Sequence, residues 1–388
     1  MSNKKIMKLI EEVTSGKSYR TQRFCYDKIG YSTADYDDDE DRIIQWQNHG
    51  ENRRHDKYIP LKKLADQIKR DESIIAYFLD GSRHVFKVDD IAYSKKIYPV
   101  IAGQIGVGCC ERKNKKMKKY YFEPEYVLVL PDMCYADGIA AEKKIFLASR
   151  CDKLNELPSL KRLDVKFSKI MTYSTSTSKV NKMENLGVEV VQDYMCECEK
   201  LMVEKLVKNN LLNQDHYLLK DGSLEYRDID NDEIEARELN KIKYNYQWVI
   251  GVSKQFNPAL CRDHKGKTNM NYIADLPLYH RTPVARYESG RQYGVVFGVW
   301  YIRLRDKSVT RTPFDGVVKV EKILMDDELD CGLDSDTVNL ISASILNDRN
   351  PTCYGRDKRW ANHLYPVYLT ESFVKSKYIS EETFLQLF

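Results

Sequence analysis

The sequence predicts an α/β protein built on a mixed sheet: three antiparallel strands, a long helix, then further strands, flanked by helices and preceded by a helical N-terminal extension. Three observations carry that expectation. Apolar strand-like runs bounded by turn residues recur three times between residues 73 and 131. The stretch 178–209 then repeats its apolar residues at three- and four-residue steps, the period of an α-helix. Strand-like runs return after it.

In chain order, residues 1–70 read as a polar, mostly helical leader and 71–388 as the main domain. Met7 to Val13 is amphipathic, and Leu61 to Ile68 is a second short amphipathic helix. The acidic run at 35–41 reads as a solvated loop or helix start. Ser73 to Leu79 is a continuous apolar run that meets Asp80-Gly81-Ser82, as a buried strand ending in a turn would. Ile97 to Val107 and Tyr126 to Leu130 complete a meander, with the basic segment Arg112 to Lys119 as a hairpin tip. In the helix, Val188, Val191, Met195, Cys198, Met202 and Leu206 form the apolar stripe. His216 to Leu219, Trp248 to Val252, Val295 to Leu304 and Gly316 to Leu324 are further strands. Residues 256–290 are loop-rich, Thr337 to Leu346 is a helix, and a last helix runs from Tyr365-Pro366 toward Lys377.

Composition excludes little. Hydrophobic residues make up 42% and charged residues 31%, so a folded core is expected and global disorder is not. A net charge of +4 neither demands nor excludes nucleic acid, because binding depends on where charges sit. No apolar run approaches the roughly 20 residues needed to span a bilayer, and Met1 to Lys8 lacks an apolar signal core, so the expected location is cytoplasmic, with no membrane partner. The ten cysteines are scattered without zinc-ribbon spacing, so they are expected as reduced, mostly buried thiols and not as a zinc centre.

The chemistry is suggested by a tripeptide that occurs twice. Asp80-Gly81-Ser82 and Asp221-Gly222-Ser223 each follow an apolar strand. One such tripeptide is an ordinary turn. Two, after comparable strands, place two carboxylates at the rim of a sheet. Like charges there need a counter-ion, and Mg²⁺ or Mn²⁺ prefers carboxylate oxygen. Among the helix glutamates, Glu199 borders the apolar stripe beside Met195 and Met202 and is the first choice for a third ligand, with Glu204 second.

The order strand–strand–strand–helix–strand, with an acid on the first and fourth strands, resembles the RNase H-like fold. The motifs resemble more specifically the NurA nucleases that work with HerA-type DNA translocases. The matching residues are Leu79-Asp80-Gly81-Ser82, Asp221-Gly222-Ser223-Leu224, Gly251-Val252-Ser253-Lys254, Tyr301-Ile302-Arg303-Leu304 and the Tyr365-Pro366 segment, within residues 73–380. The family's last helix supplies a histidine, and here Glu371 stands in its place. The resemblance implies a DNA nuclease holding two Mn²⁺ or Mg²⁺ ions through Asp80, Glu199, Asp221 and Glu371, with Lys254 at the phosphate. It also implies a homodimer docked on a HerA-type hexameric ATPase, acting in DNA end processing or defence. A PIWI-like nuclease lobe and a catalytically degenerate DNA-binding or scaffolding subunit are the rival readings. For the nucleic acid itself, Lys115, Lys116 and Lys118 in the hairpin tip, beside Tyr120, Tyr121 and Phe122, and Arg303 further on, are the candidate contacts.

Overall fold

The computed structural model describes residues 5–29, 44–45, 50–55, 57–68, 73–135, 140–176, 183–225, 236–263, 265–288, 294–349 and 360–388. The acidic run at 35–41 lies outside them. Helix α1 (Ile6–Thr14) opens the chain and buries Ile6, Met7, Leu9 and Ile10. Then come β1 (Lys17–Ser18), β2 (Phe24–Cys25), α2 (Tyr26–Ile29), β3 (Ile44–Gln45), β4 (Ile59–Pro60) and α3 (Lys62–Gln67). The expected helical leader is therefore corrected: it also contributes strands, three of which join the main sheet. A two-residue strand takes its order from the edge it docks on, so it leaves no period in the sequence.

The meander consists of β5 (Ile75–Tyr93), β6 (Lys96–Lys113) and β7 (Lys116–Pro131), paired antiparallel. Asn114 and Lys115 turn the second hairpin with positive φ, the conformation a two-residue loop requires. The basic segment is thus a hairpin tip, as expected. One expectation fails here. Asp80-Gly81-Ser82 does not end its strand, because β5 keeps pairing with β6 through all three residues and on to Tyr93.

Helices α4 (Ala140–Asn155) and α5 (Pro158–Leu163) and strand β8 (Phe167–Tyr173) follow, with β8 parallel to β7. The long helix α6 (Met183–Lys208) leads to β9 (Tyr217–Asp221), α7 (Ala236–Tyr246) and β10 (Val249–Ser253). Because β8 intervenes, the second aspartate sits on the fifth long strand and not the fourth. Strand β11 (Cys261–Arg262) pairs with β3. Helix α8 (Met270–Ala274) and strands β12 (His280–Arg281), β13 (Ala285–Glu288), β14 (Val296–Arg303) and β15 (Val317–Ile323) come next. Helices α9 (Asp326–Cys331), α10 (Ser335–Asn347), α11 (Tyr365–Lys375) and α12 (Glu381–Leu385) complete the chain.

Across the sheet the order is β4-β12-β14-β15-β10-β9-β5-β6-β7-β8. Strand β9 is parallel to β5, and β10 is parallel to β9. Successive strand residues divide between two apolar clusters, as the two-residue period of a strand dictates. Leu79, Leu218 and Val249 pack with Val188, Val191 and Met202 of α6 on one face. Phe78, Leu219 and Ile250 pack with Ile341 and Ile345 of α10 and Val367 of α11 on the other. Among the described residues no helix is long and apolar enough to cross a membrane.

Arg303, expected at the nucleic acid, is fully buried at the end of β14. Its guanidinium donates to the carbonyls of Leu276 (2.5 Å), Pro313 (2.7 Å), Ala274 (3.2 Å) and Ile273 (3.3 Å), the last two at the C-terminal end of α8. The residue is a clamp on surrounding loops, and burial rules it out as a phosphate contact. Arg303→Leu would remove the side-chain donor from all four carbonyls, and among the described residues only Ile273 would keep a backbone donor, the Leu276 amide. It should lower stability in urea unfolding by roughly 1.5–3 kcal/mol or more, and unchanged stability would refute the clamp.

Candidate active site

The alternation that buries one sheet face also delivers the site. On β5, Phe78 is followed on the same face by Asp80, on β9 Leu219 by Asp221, and beyond β10 Val252 by Lys254. Strands β5 and β9 pair in register at Leu79 and Lys220, so Asp80 and Asp221 stand side by side one step further on. Helix α11 covers this face. Asp80 is opposite Gly108 of β6, and a Cβ on Gly108 would lie 2.5 Å from Val374 of α11, so a side chain there would push the helix away. Glu371, on α11, is close enough that its charge acts on both Asp80 and Lys254.

Asp80 is 5% exposed, and its Oδ2 has no hydrogen-bond partner. Burial, and then the charge of Asp221, push its carboxyl well above the usual aspartate range, against the pull of Lys254. Lys254 donates from Nζ to Asp221 Oδ2 at 2.8 Å. Burial works to lower the Lys254 ammonium, but Asp221 and Asp80 outweigh it, so it is raised and remains charged. Glu371 is half-buried and accepts from Lys375 at 2.6 Å, which leaves the ion pair at the outer edge of the cluster.

Glu199 is placed differently. A Cβ on Gly81 would meet Glu199 Oε1 at 2.3 Å, and Gly81 points away from the face that carries Asp80. Glu199 therefore lies against the opposite face, 4% exposed, in an ion pair with Lys220 Nζ at 3.0 Å. Burial acts to lower the Lys220 ammonium, but Glu199 beside it holds it up at about 12. Lys220 also donates to the carbonyls of Asp221 (2.9 Å) and Ser223 (3.2 Å), bracing the second tripeptide from below. Glu204 is on the surface between Lys208 and Lys241, away from the site.

The two tripeptides work by different means. Gly222 has φ +90 and makes the sharp turn expected of it, whereas Gly81 lies in extended strand and serves by having no side chain. Glu321 of β15 holds the turn after Asp221, accepting from Ser223 Oγ (2.7 Å) and the Leu224 amide (2.9 Å). Burial would raise Glu321, but Lys319 and these donors keep it below the usual range. Asn362 donates to the Lys254 carbonyl and so holds that strand end in place. Sequence reasoning missed Lys220, Glu321 and Asn362. The available signal for Lys220 was a charged residue directly after the apolar run of β9, and for Glu321 a carboxylate between the lysines of β15.

The expected nucleic-acid lysines Lys115, Lys116 and Lys118 are exposed at the β6–β7 tip. Just past the tip, on β7, Lys119 lies over the rings of Phe122 (6.0 Å) and Phe373 (5.6 Å), and Phe373 is on α11 two residues from Glu371. The hairpin is thus joined to the helix that borders the carboxylates.

The donor set of Asp80, Asp221 and Glu371 is all oxygen, and the unbonded Asp80 Oδ2 lacks the donor a buried acceptor requires. Both features fit a hard divalent cation such as Mg²⁺ or Mn²⁺.

Ionising Asp80 in the metal-free fold is uphill. Its contribution to stability is present below the ordinary aspartate pKa of about 3.9 and is lost as pH rises through the raised folded value. Asp80→Asn has no charge to bury. In chelator at neutral pH its unfolding free energy should exceed that of the wild type by on the order of 1–3 kcal/mol, and the gap should close toward pH 4. A variant less stable than wild type at neutral pH would contradict this.

No protein-family model and no curated protein matches the sequence. Among solved structures, the chain is similar to the NurA nuclease from Sulfolobus solfataricus at 12% identity and a TM-score of 0.38, over 84% of this chain and 89% of that one. That likeness is too distant to carry a function, and the chemistry rests on the residues of the site.

Proposed function

We propose that this chain is a divalent-metal-dependent nuclease that hydrolyses phosphodiester bonds in DNA on an RNase H-like, NurA-type core. The observation that carries the proposal is the pair Asp80 and Asp221, side by side on adjacent parallel strands, with Asp80 buried and lacking a hydrogen-bond donor at Oδ2. The strand order supports the fold assignment. Three antiparallel strands, β5 to β7, are followed after α6 by β9 and β10, which add in parallel beside β5.

Asp80, Asp221 and Glu371 would hold the cations, Mn²⁺ or Mg²⁺, and two per site is the count the motif resemblance favours. When bound, the metal supplies Lewis acidity toward the scissile phosphate and the attacking water. Glu199 keeps its ion pair with Lys220 beneath the sheet and positions Asp221 through the backbone that Lys220 braces. Lys254, already charged and within reach of Asp221, donates to a phosphate oxygen and offsets charge that develops there. The exposed lysines of the hairpin tip track the phosphate backbone. The motif resemblance also supports a homodimer docked on a HerA-type ATPase, which co-purification of the two proteins would test.

Cleavage of labelled single- and double-stranded DNA with Mn²⁺, Mg²⁺ or chelator checks the core of the proposal. Cutting should need the metal, vanish in Asp221→Ala and Asp80→Ala, and fall roughly 10²–10³-fold in Lys254→Ala. Metal-independent cutting, or full activity in Asp221→Ala, would overturn it. An inactive wild type, with and without the ATPase, would favour the degenerate DNA-binding reading. For the hairpin, replacing Lys115, Lys116 and Lys118 together with alanine should flatten the slope of log affinity against log salt by roughly 2–3, and an unchanged slope would remove the tip from the binding surface.

A further inference from the structure

A second group of metal-type donors stands beside the carboxylate cluster and is not part of it. Cys25 ends β2, Asp27 lies in α2, and His84 is on β5, on the same face as Asp80 by strand alternation. One ligand atom from each of the three lies within 4.8 Å of the other two. No spacing rule finds this group, because its histidine comes from a strand far along the chain.

The fold holds the three in place. Strand β2 pairs with β5 at Cys25 and Phe86, and Val85 donates its amide to Asp27 Oδ2 at 3.1 Å. The Cys25 thiol is 3.6 Å from the same oxygen. Tyr378 meets the His84 ring edge-on at 4.8 Å between centroids. Cys25 is 2% exposed while Asp27 faces solvent, so the group has a packed floor and an open side through which an ion can enter. Arg83 forms an ion pair with Asp27 Oδ1 through Nη1 at 3.6 Å and donates from Nε to Gln192 of α6, so Asp27 Oδ2 is the oxygen that faces the Cys25 thiol. A thiolate and a carboxylate together offset the charge of a divalent ion.

We propose that Cys25, Asp27 and His84 form a second cation site that takes Zn²⁺, with water as the fourth ligand, and that the ion staples the N-terminal strand β2 to the strand carrying Asp80. Sulfur and imidazole donors select a borderline metal, whereas the all-oxygen cluster selects Mg²⁺ or Mn²⁺, so the two sites separate by ligand chemistry. Tetrahedral zinc, with Zn–S about 2.3 Å and Zn–N about 2.0 Å, sets its donors roughly 3.3–3.6 Å apart, so small side-chain rotations close the site.

The test uses the full chain, stripped with chelator and titrated with Co²⁺ and then Zn²⁺. With excess Mg²⁺ present to hold the carboxylate cluster, the expected result is a sulfur-to-cobalt charge-transfer band that corresponds to one sulfur-ligated Co²⁺ per chain, displaced by Zn²⁺, and a melting temperature raised by Zn²⁺. The band should disappear in Cys25→Ser and persist in Asp80→Asn, and His84→Ala should weaken Zn²⁺ binding at least about tenfold. No charge-transfer band in the wild type would overturn the proposal whatever the variants do. A band that survives Cys25→Ser, or one lost in a folded Asp80→Asn, would overturn it equally.

Discussion

Two carboxylates forced into company on a buried sheet face are the constraint around which the centre of this molecule is arranged. Strand alternation puts Asp80 behind Phe78 and Asp221 behind Leu219, and the parallel pairing of β5 with β9 sets them next to each other. Burial makes that company costly, as the raised pKa of Asp80 records. The neighbours answer to this cost. Lys254 supplies a positive charge at 2.8 Å from Asp221, Asn362 fixes the strand end that carries the lysine, and Glu321 fixes the turn after Asp221. Space for α11 comes from Gly108.

A second buried charge pair, Glu199 with Lys220, lies on the reverse face and connects to the first through the backbone. Lys220 holds two carbonyls of the Asp221 turn while its charge is balanced by Glu199. A buried pair of this kind is weak evidence for stability, since desolvation offsets the attraction. Its value here is positional. It sets the long helix against the strand that carries Asp221, and it fits only because Gly81 leaves room for the Glu199 carboxylate.

Much of the fold was legible before the structure. The meander, α6, β9, β10, β14, β15 and α10 all announce themselves by period or by apolar run, and Asp80, Asp221 and Lys254 were marked by following an apolar run, although β5 continues past Asp80. What escaped has physical reasons. Two-residue strands such as β1, β2 and β4 are ordered by the sheet and not by local propensity, and β8 alternates only weakly in burial. The outer half of β5 and the first half of β7 mix polar and apolar residues, so their reach went unseen. Arg303 looked like a surface cation because a sequence does not say which carbonyls await a guanidinium.

By itself the sequence determined the local periods, and with them the elements that bury a face and the acids that sit where those faces end. It could not say which glycine turns the chain and which yields space, since both stand in the same tripeptide. Only tertiary pairing decided that Gly222 takes a positive φ while Gly81 stays extended under Glu199. The same pairing decided which carboxylates share a face: Asp80, Asp221 and Glu371 above the sheet, Glu199 below it. Side-chain direction along one strand is a local property, but the neighbour a side chain meets is set by register and by the helix laid across it, and both are long-range.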